Sequence, residues 1–196
     1  MEPVNIEKKS VYKVTANILY DLASMLNTST GRAVLANLRN SIGKPITQTV
    51  GAWAFIFDKI PEEFQGQYEN PSREENAILI ALQMYALHQQ GNDVSVNISS
   101  IDNRWKNIGD SLRSLRFLDD GKGIDRRFNA MITASGFEEI IYHLRQLIKI
   151  LKSKSEQKIN YAKLAEDLYD LQNDYKFEKV RFNWARSYYS NKGEEK

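Results

Sequence analysis

Apolar side chains recur at intervals of three and four residues along almost the whole chain, and this spacing constrains the fold more than any other feature. The first clear case is the run Val11, Val14, Ile18, Leu22 and Met25. Such spacing puts apolar side chains on one face of an α-helix, whereas a half-buried strand needs them at every second residue. The pattern predicts an all-α fold of two packed helical bundles.

Helix boundaries are marked by caps and breakers. Helices are predicted over 31–40, 47–57, 72 to near 91, 135–151 and 161–172. Further helices are predicted from Arg104 to the glycines at 121 and 123, from the paired arginines at 126 and 127 to Ile132, and through the residues Phe177 to Tyr188. Two Ser-x-x-Glu capping boxes, at Ser72–Glu75 and Ser135–Glu138, start two of them, and Asn160 is predicted to cap another. In the helix over 47–57, we expect a buried face that contains Val50, Trp53, Ala54 and Phe57.

The segment 92–100 divides the predicted helices into two groups. Val94, Val96 and Ile98 alternate as they would in a short strand, but a lone strand has no partner in a helical chain. We therefore interpret the segment as a linker. It separates an N-terminal lobe, approximately 8–92, from a C-terminal lobe, approximately 100–190.

Composition narrows the possible functions. The 196 residues include no cysteine, which excludes disulfides and thiolate metal sites and fits a reducing cytoplasm. We expect no signal peptide and no membrane span, because the N-terminus lacks an apolar core and every apolar run is short. The net charge of +2 is small. A role in nucleic-acid binding must therefore depend on where the basic residues cluster.

Nothing in the sequence favours an enzyme. His88 and His143 each lie in a predicted amphipathic helix, outside any zinc-binding or nuclease motif, and there is no phosphate-binding P-loop. Asp119, Asp120 and Asp125 surround a glycine pair, but their spacing does not match a calcium loop. We expect no catalytic residue, metal or cofactor.

The most informative segment, 104–132, combines apolar and basic residues. Trp105, Ile108, Leu112 and Leu115 are predicted to form a buried helical stripe. The tryptophans at 53 and 184 are likewise predicted to be core residues. Arg113 and Arg116 lie outside the stripe or at its edge, which predicts a basic ridge on the same helix.

A glycine-broken loop, Gly121–Gly123, is predicted after this helix, with Lys122 at its centre. Arg126 and Arg127 then fall in the first turn of the next helix, where the helix dipole disfavours cations. Arginines there make sense if an anion also binds the free amides. The alternative is a salt-bridged surface in which the neighbouring aspartates pair with these arginines.

Further basic residues occur in three other places. Arg145, Lys149 and Lys152 share one helix face; Arg39 precedes Lys44 near a Gly-Pro turn; and Arg73 starts the helix at 72. These elements form one binding surface only if the fold brings them together.

Several short motifs occur in a specific order between about Ala33 and Tyr189. They are Leu38-Arg39, Asn70-Pro71-Ser72-Arg73, Asn107-Ile108-Gly109, Leu112-Arg113-x-x-Arg116-Phe117, Ile124-Asp125-Arg126-Arg127-Phe128, Leu144-Arg145-Gln146-Leu147, Ile159-Asn160-Tyr161 and Val180-Arg181-Phe182-x-Trp184. As an ordered set they resemble the CasB family, the small subunit of type I-E CRISPR interference complexes (Cascade). The first thirty residues contain no motif of the family.

The resemblance implies a non-catalytic, two-lobed helical protein of antiviral defence. In the family, two copies contact the crRNA–target DNA hybrid and the displaced strand, stabilise the R-loop and assemble with the backbone and large subunits. It implies no membrane and no small-molecule substrate. Matching motifs carry nucleic-acid contacts over to Arg39, Arg73, Arg113, Arg116, Arg126, Arg127 and Arg145; Lys44, Lys122 and Lys149 are added by position and chemistry. The alternative function is a helical adaptor whose arginines pair with acidic surfaces of protein partners.

Overall fold

The computed structural model describes residues 10–44, 48–67, 71–99, 103–118 and 120–190. Its helices are α1 (Val11–Ser24), α2 (Ser29–Asn40), α3 (Val50–Phe57), α4 (Arg73–Gln89), α5 (Ile108–Leu112), α6 (Gly121–Ile132), α7 (Phe137–Lys154), α8 (Tyr161–Leu171) and α9 (Asp174–Tyr189). Short 3₁₀ segments cover 62–64 and 113–117. The predicted all-α fold is confirmed. Pro45, Asn70 and Asp119 lie outside the described residues.

Helix α4 is buried on every side. Ten consecutive residues, from Ala77 to Ala86, are buried, and the helix packs against α1, α2, α7 and α8. A helix that is apolar all round belongs in the interior of a protein. The predicted capping box at its start is confirmed, because Ser72 and Glu75 bond each other's backbone amides.

The end of α2 is fixed against α4. Nε2 of Gln83 donates to Oγ of Ser41 at 2.9 Å, and that hydroxyl donates to the carbonyl of Leu38. Gly43 follows in the left-handed region, at φ +78°, which turns the chain away after α2. These contacts hold the start of the 41–44 turn against the core.

A partly buried polar network joins α8 to α9, α1 and the turn before α5. Nε1 of Trp184 donates to Asp167, whose other oxygen accepts from Lys163. Lys163 also contacts Glu166, which forms a two-hydrogen-bond ion pair with Arg104. Arg104 in turn lies over the ring of Tyr12, 3.6 Å from its centroid.

The linker at 92–99 has one residue in a β-bridge. Asn97 pairs with Ile159, and the amide of Tyr161 donates to Oδ1 of Asn97. Val96 is buried beside this bridge. The segment forms no strand, in agreement with the prediction, and the division into two lobes stays a prediction. Across the described residues, no helix is both long enough and apolar enough to cross a membrane.

The predicted buried face of α3 is wrong. Val50 is 73% exposed, and Ala54 and Phe57 are also exposed, whereas Ala52 and Ile56 are buried beside Trp53. The physical reason is composition, since Val-Gly-Ala-Trp-Ala-Phe-Ile-Phe contains no polar residue to mark an outer face.

The predicted helix that begins at Arg104 starts later than expected. Asn107 caps α5 at Ile108, by accepting a hydrogen bond from the amide of Gly109, so Trp105 lies in the preceding turn. Trp105 is 76% exposed and is not a core residue. Ile108, Leu112 and Leu115 are buried as predicted, and the burial of Trp53 and Trp184 is confirmed.

The second predicted capping box is also wrong. Helix α7 starts at Phe137 after Gly136, and Ser135 donates from both its amide and its hydroxyl to Glu139 instead of pairing with Glu138. The backbone amide of Lys163 donates to Oδ1 of Asn160, which confirms the predicted cap of α8.

Candidate nucleic-acid interface

Basic residues from two distant parts of the sequence meet where α2 ends beside α7. Nη1 of Arg145 lies beside the 41–44 turn, 4.0 Å from the position that a β-carbon on Gly43 would occupy. Arg39 donates from Nη1 to the carbonyl of Ala86 at 3.4 Å. We call this surface the α2–α7 patch; it comprises Arg39, Lys44, Arg145, Lys149 and Lys152.

The α2–α7 patch contains an excess of positive charge. Partial burial lowers the pKa of Lys152, and the charge of Arg39 lowers it further. None of the ion pairs between described residues involves any of the five cations. Nε of Arg145 is buried without a hydrogen-bond partner in the described part of the chain. A phosphate bound here would relieve the repulsion between these cations.

His88 lies under this patch and is not a catalytic candidate. Its Nδ1 is 3.0 Å from the hydroxyl of Tyr161, and both side chains are buried. Burial, and then the charge of Lys152, lowers the pKa of His88 to about 4. The imidazole is therefore neutral near pH 7 and belongs to the packing between α4 and α8.

A second basic surface surrounds α6. We call it the α6 patch; it comprises Arg113, Arg116, Lys122, Arg126 and Arg127. The side chain of Arg116 already has partners within the protein. Its Nε pairs with Asp125 at 3.1 Å, and its guanidinium lies over the rings of Tyr188 and Tyr189. Arg113 donates to Oγ of Ser190 at 2.6 Å.

The position of Arg126 and Arg127 differs from the prediction. Helix α6 starts at Gly121, so the predicted glycine loop is its first turn and both arginines lie in the second turn. The free backbone amides at the start of α6 are therefore not adjacent to Arg126 and Arg127. The prediction that these arginines and the amides bind one anion together is wrong. Glycine is a poor helix former, but the amides of Gly123 and Ile124 bond the carbonyl of Asp120 and start the helix early.

Two residues of the α6 patch are free for a ligand. Lys122 and Arg126 are exposed, and neither side chain has a hydrogen bond or ion pair with a described residue. Arg127 bonds the carbonyl of Gly123 and lies 3.9 Å from Asp120. The alternative of a salt-bridged surface therefore holds for Arg116 and, more weakly, for Arg127.

The two patches lie on neighbouring helices. Helices α6 and α7 pack together and are joined by only four residues, 133–136, so they run antiparallel. Lys122 lies about as far from this connection along α6 as Arg145 and Lys149 lie along α7. The three residues are therefore at a similar height in the antiparallel pair of helices.

Arg73 lies apart from the α2–α7 patch. It is exposed at the first position of α4, and its carbonyl accepts from Gln172. Arg39 contacts α4 at Ala86, which is about 20 Å further along the helix axis at the rise of an α-helix. The fold therefore does not bring Arg73 to the same surface as the residues of the α2–α7 patch.

The sequence reasoning missed a row of exposed aromatic side chains on the outer face of α9, at Tyr175, Phe182 and Tyr189. The signal was present, because these residues recur every seven positions opposite the buried stripe of the same helix. Within the described residues, no three His, Asp or Glu side chains cluster closely enough to hold a metal ion.

Solved structures with the same fold are CasB proteins. The crystal structure of CasB from Thermobifida fusca matches with a TM-score of 0.71 and 22% identity, over 92% of this chain and 98% of that one. CasB from Thermus thermophilus matches with a TM-score of 0.64 and 20% identity, over 89% and 97%. CasB from M. ruber matches with a TM-score of 0.59 and 21% identity, over 88% and 92%. No curated protein sequence matches significantly. These structures define the fold class as that of CasB.

The family itself follows from the sequence. The profile described as CRISPR-associated protein Cse2 (CRISPR_cse2) matches residues 34–189, most of the chain. The chain belongs to the Cse2 family of CRISPR-associated proteins, the CasB family of type I-E Cascade. The resemblance seen in the ordered motifs is confirmed.

Proposed function

We propose that this protein is the non-catalytic small subunit of a type I-E CRISPR surveillance complex in the cytoplasm. It binds the sugar-phosphate backbone of the crRNA–target DNA hybrid and of the displaced strand, and so stabilises the R-loop. It assembles with the backbone and large subunits and with a second copy of itself. Family membership supports the association with a Cascade complex.

The observation that supports nucleic-acid binding most directly is the α2–α7 patch. Arg145 lies beside the turn that contains Lys44, and Arg39 is close enough to Lys152 to lower its pKa. None of the ion pairs between described residues involves any of the five cations. A protein that holds strands whose sequence is read by guide pairing needs such sequence-blind phosphate contacts. Because exchanging duplex for hybrid is nearly balanced in free energy, a few contacts of this kind can shift the equilibrium.

The test is binding of the purified protein to labelled single-stranded DNA, duplex DNA and RNA across a salt series, followed by fluorescence anisotropy. We expect sequence-blind binding at roughly 1–100 µM that weakens as salt rises. Arg145→Ala with Lys149→Ala should weaken binding to every ligand and reduce the salt slope by about 1 for each lost phosphate contact.

Lys154→Ala is the matched control. It removes an exposed cation from the same helix, nine residues after Arg145 and so about 180° around the axis. Equal effects of the control and the double variant would contradict a role for the patch. Absence of binding at low salt, with loss of a protein partner in the double variant, would favour the adaptor function instead.

The α6 patch is tested in the assembled complex. Arg126→Ala with Arg127→Ala should leave the fold intact and shorten the lifetime of the R-loop on target DNA, because an exposed pair of phosphate contacts is lost. An unchanged R-loop lifetime would remove these two residues from the interface.

A further inference from the structure

The outer face of α9 carries aromatic and basic side chains in alternation. The α9 stripe comprises Tyr175, Lys179, Phe182, Arg186 and Tyr189. Tyr175 is 98% exposed, Phe182 58% and Tyr189 38%, and both cations are exposed. At about 100° per residue, the five side chains fall within an arc of about 80°. The buried residues of α9 lie on the opposite side of the helix.

Protein interfaces are also enriched in tyrosine, phenylalanine and arginine, but the wide spacing of these rings is a poor match to the core of such an interface. Successive rings are seven residues apart, or about 10.5 Å along the axis, and a cation lies between each pair. The core of a protein interface is contiguous and depleted in charge. Single-stranded nucleic acid suits the alternation better, because bases stack on aromatic rings while phosphates contact the cations between them.

Two carboxylates near the stripe are paired with other cations, whereas Asp174, beside Tyr175, is exposed and has no ion pair with a described residue. Glu178 pairs with Arg181 at 2.9 Å, and Asp170 pairs with Lys176 at 2.7 Å. Arg186 lies over the ring of Phe182, 4.6 Å from its centroid, which holds a cation beside the exposed ring. The stripe therefore presents rings and positive charge together.

The α9 stripe is continuous with the α6 patch. The hydroxyl of Tyr189 donates to Oδ1 of Asn129 at 2.8 Å, and the guanidinium of Arg116 is 4.7 Å from the centroid of its ring. Asn129 is exposed on α6, less than one turn after Arg126. A strand that contacts Arg126 can pass over Tyr189 onto Phe182 without leaving the surface.

We propose that the α9 stripe binds unpaired, single-stranded nucleic acid by stacking its bases on Tyr175 and Phe182. Lys179 and Arg186 contact the phosphates between the stacked bases. This proposal rests on the proposed function and extends it, since it adds contacts to the bases and a binding element outside the basic patches. Duplex regions cannot use the rings, because their bases are already stacked.

The experiment compares two labelled ligands by anisotropy: an oligothymidylate of roughly 12 nucleotides, within the site sizes of single-strand-binding units, and an abasic oligomer of equal length. The abasic oligomer keeps the phosphates and lacks the bases. Phe182→Leu keeps an apolar side chain and removes the ring, and Phe182→Trp restores a ring. Tyr20→Ala removes a ring on α1 that is 75% exposed. Melting curves check that each variant folds.

We expect Phe182→Leu to weaken oligothymidylate binding about fivefold, which corresponds to about 1 kcal/mol per stacked base, and to leave abasic binding unchanged. Phe182→Trp and Tyr20→Ala should bind like the wild type. Equal binding of both ligands by the wild type, or no effect of Phe182→Leu, would overturn this proposal while leaving backbone binding intact. Unchanged oligothymidylate binding by Phe182→Leu, combined with reduced assembly of this variant into the complex, would also overturn the proposal. The stripe would then be a protein interface. Failure of the wild type to bind either ligand would instead count against the proposed function and this proposal together.

Discussion

Replacing Trp184 by phenylalanine tests whether the polar network between α8 and α9 stabilises the fold. The side chain of Trp184 is fully buried, and its Nε1 donates to Oδ2 of Asp167 at 2.7 Å. Burial raises the pKa of Asp167, although Lys163 and the indole donor both favour the carboxylate. Phenylalanine keeps most of the ring but cannot donate this hydrogen bond.

The expected loss has two parts. A hydrogen bond to a charged group contributes about 1.5–3 kcal/mol to stability, and the smaller ring leaves a cavity that adds to the loss. We expect the free energy of unfolding to fall by about 3 kcal/mol. Trp184→Ala should cost about 3–5 kcal/mol from truncation alone, which approaches the whole stability of a marginal domain, so phenylalanine is the better probe.

The assay is urea denaturation followed by far-ultraviolet circular dichroism, because the substitution changes tryptophan fluorescence. A lower midpoint at constant slope would report a change in stability. A double-mutant cycle with Asp167→Ala, which removes the acceptor, measures the coupling between the two side chains, and we expect a coupling energy of about 1 kcal/mol or more. Additive effects of the two substitutions would refute the reasoning, since the loss would then be due to packing.

Three further predictions follow from other contacts. Because the pKa of His88 is about 4 in the fold and 6.5 ordinarily, the unfolded chain takes up the proton first. Stability should therefore fall by at most about 3 kcal/mol as pH drops from 6.5 towards 4, and His88→Gln should lack this fall in denaturation curves. Gly109→Ala should destabilise by about 1–3 kcal/mol or more, since its β-carbon would lie 2.1 Å from the backbone oxygen of Trp184. Gly136→Ala, which has open space, is the control, and equal melting temperatures would contradict the close approach of α5 to α9. Ser72→Ala should lower the free energy of unfolding by about 1 kcal/mol, because it removes the cap of α4. An unchanged denaturation midpoint would show that Glu75 alone is enough to cap the helix.

The elements with a clear contrast between polar and apolar positions could be predicted from the sequence. In α1, the predicted residues Val11, Val14, Ile18 and Leu22 are buried, whereas Met25 follows the helix and is only partly buried. Ser72 and Asn160 cap where their side chains predict. Helix α3 lacks that contrast, so only tertiary packing decides which face is buried. The apolar pattern predicted that Trp105 lies in a helix, but the cap at Asn107 starts the helix after it.

The candidate site was less predictable, because the sequence cannot say which arginines are already paired. Arg116 and Arg126 are both basic residues near α6, yet one is bound to Asp125 and the other is exposed. Likewise, 106 positions separate Arg39 from Arg145, and only the packing of α2, α4 and α7 brings their side chains to one surface. The residue types were evident from the sequence, and their association depended on contacts between distant segments.

The burial of α4 on every side has a consequence for synthesis of the protein. Two of the helices that cover α4 are α7 and α8, which leave the ribosome only after it. Until residue 171 has emerged, the stretch Ala-Ile-Leu-Ile-Ala-Leu-Gln-Met-Tyr-Ala lacks much of its cover, and exposed apolar segments of this kind aggregate or recruit chaperones. Nascent chains that end before α8 should therefore be protease-sensitive and bound by chaperones, and those that include α8 should become resistant in one cooperative step.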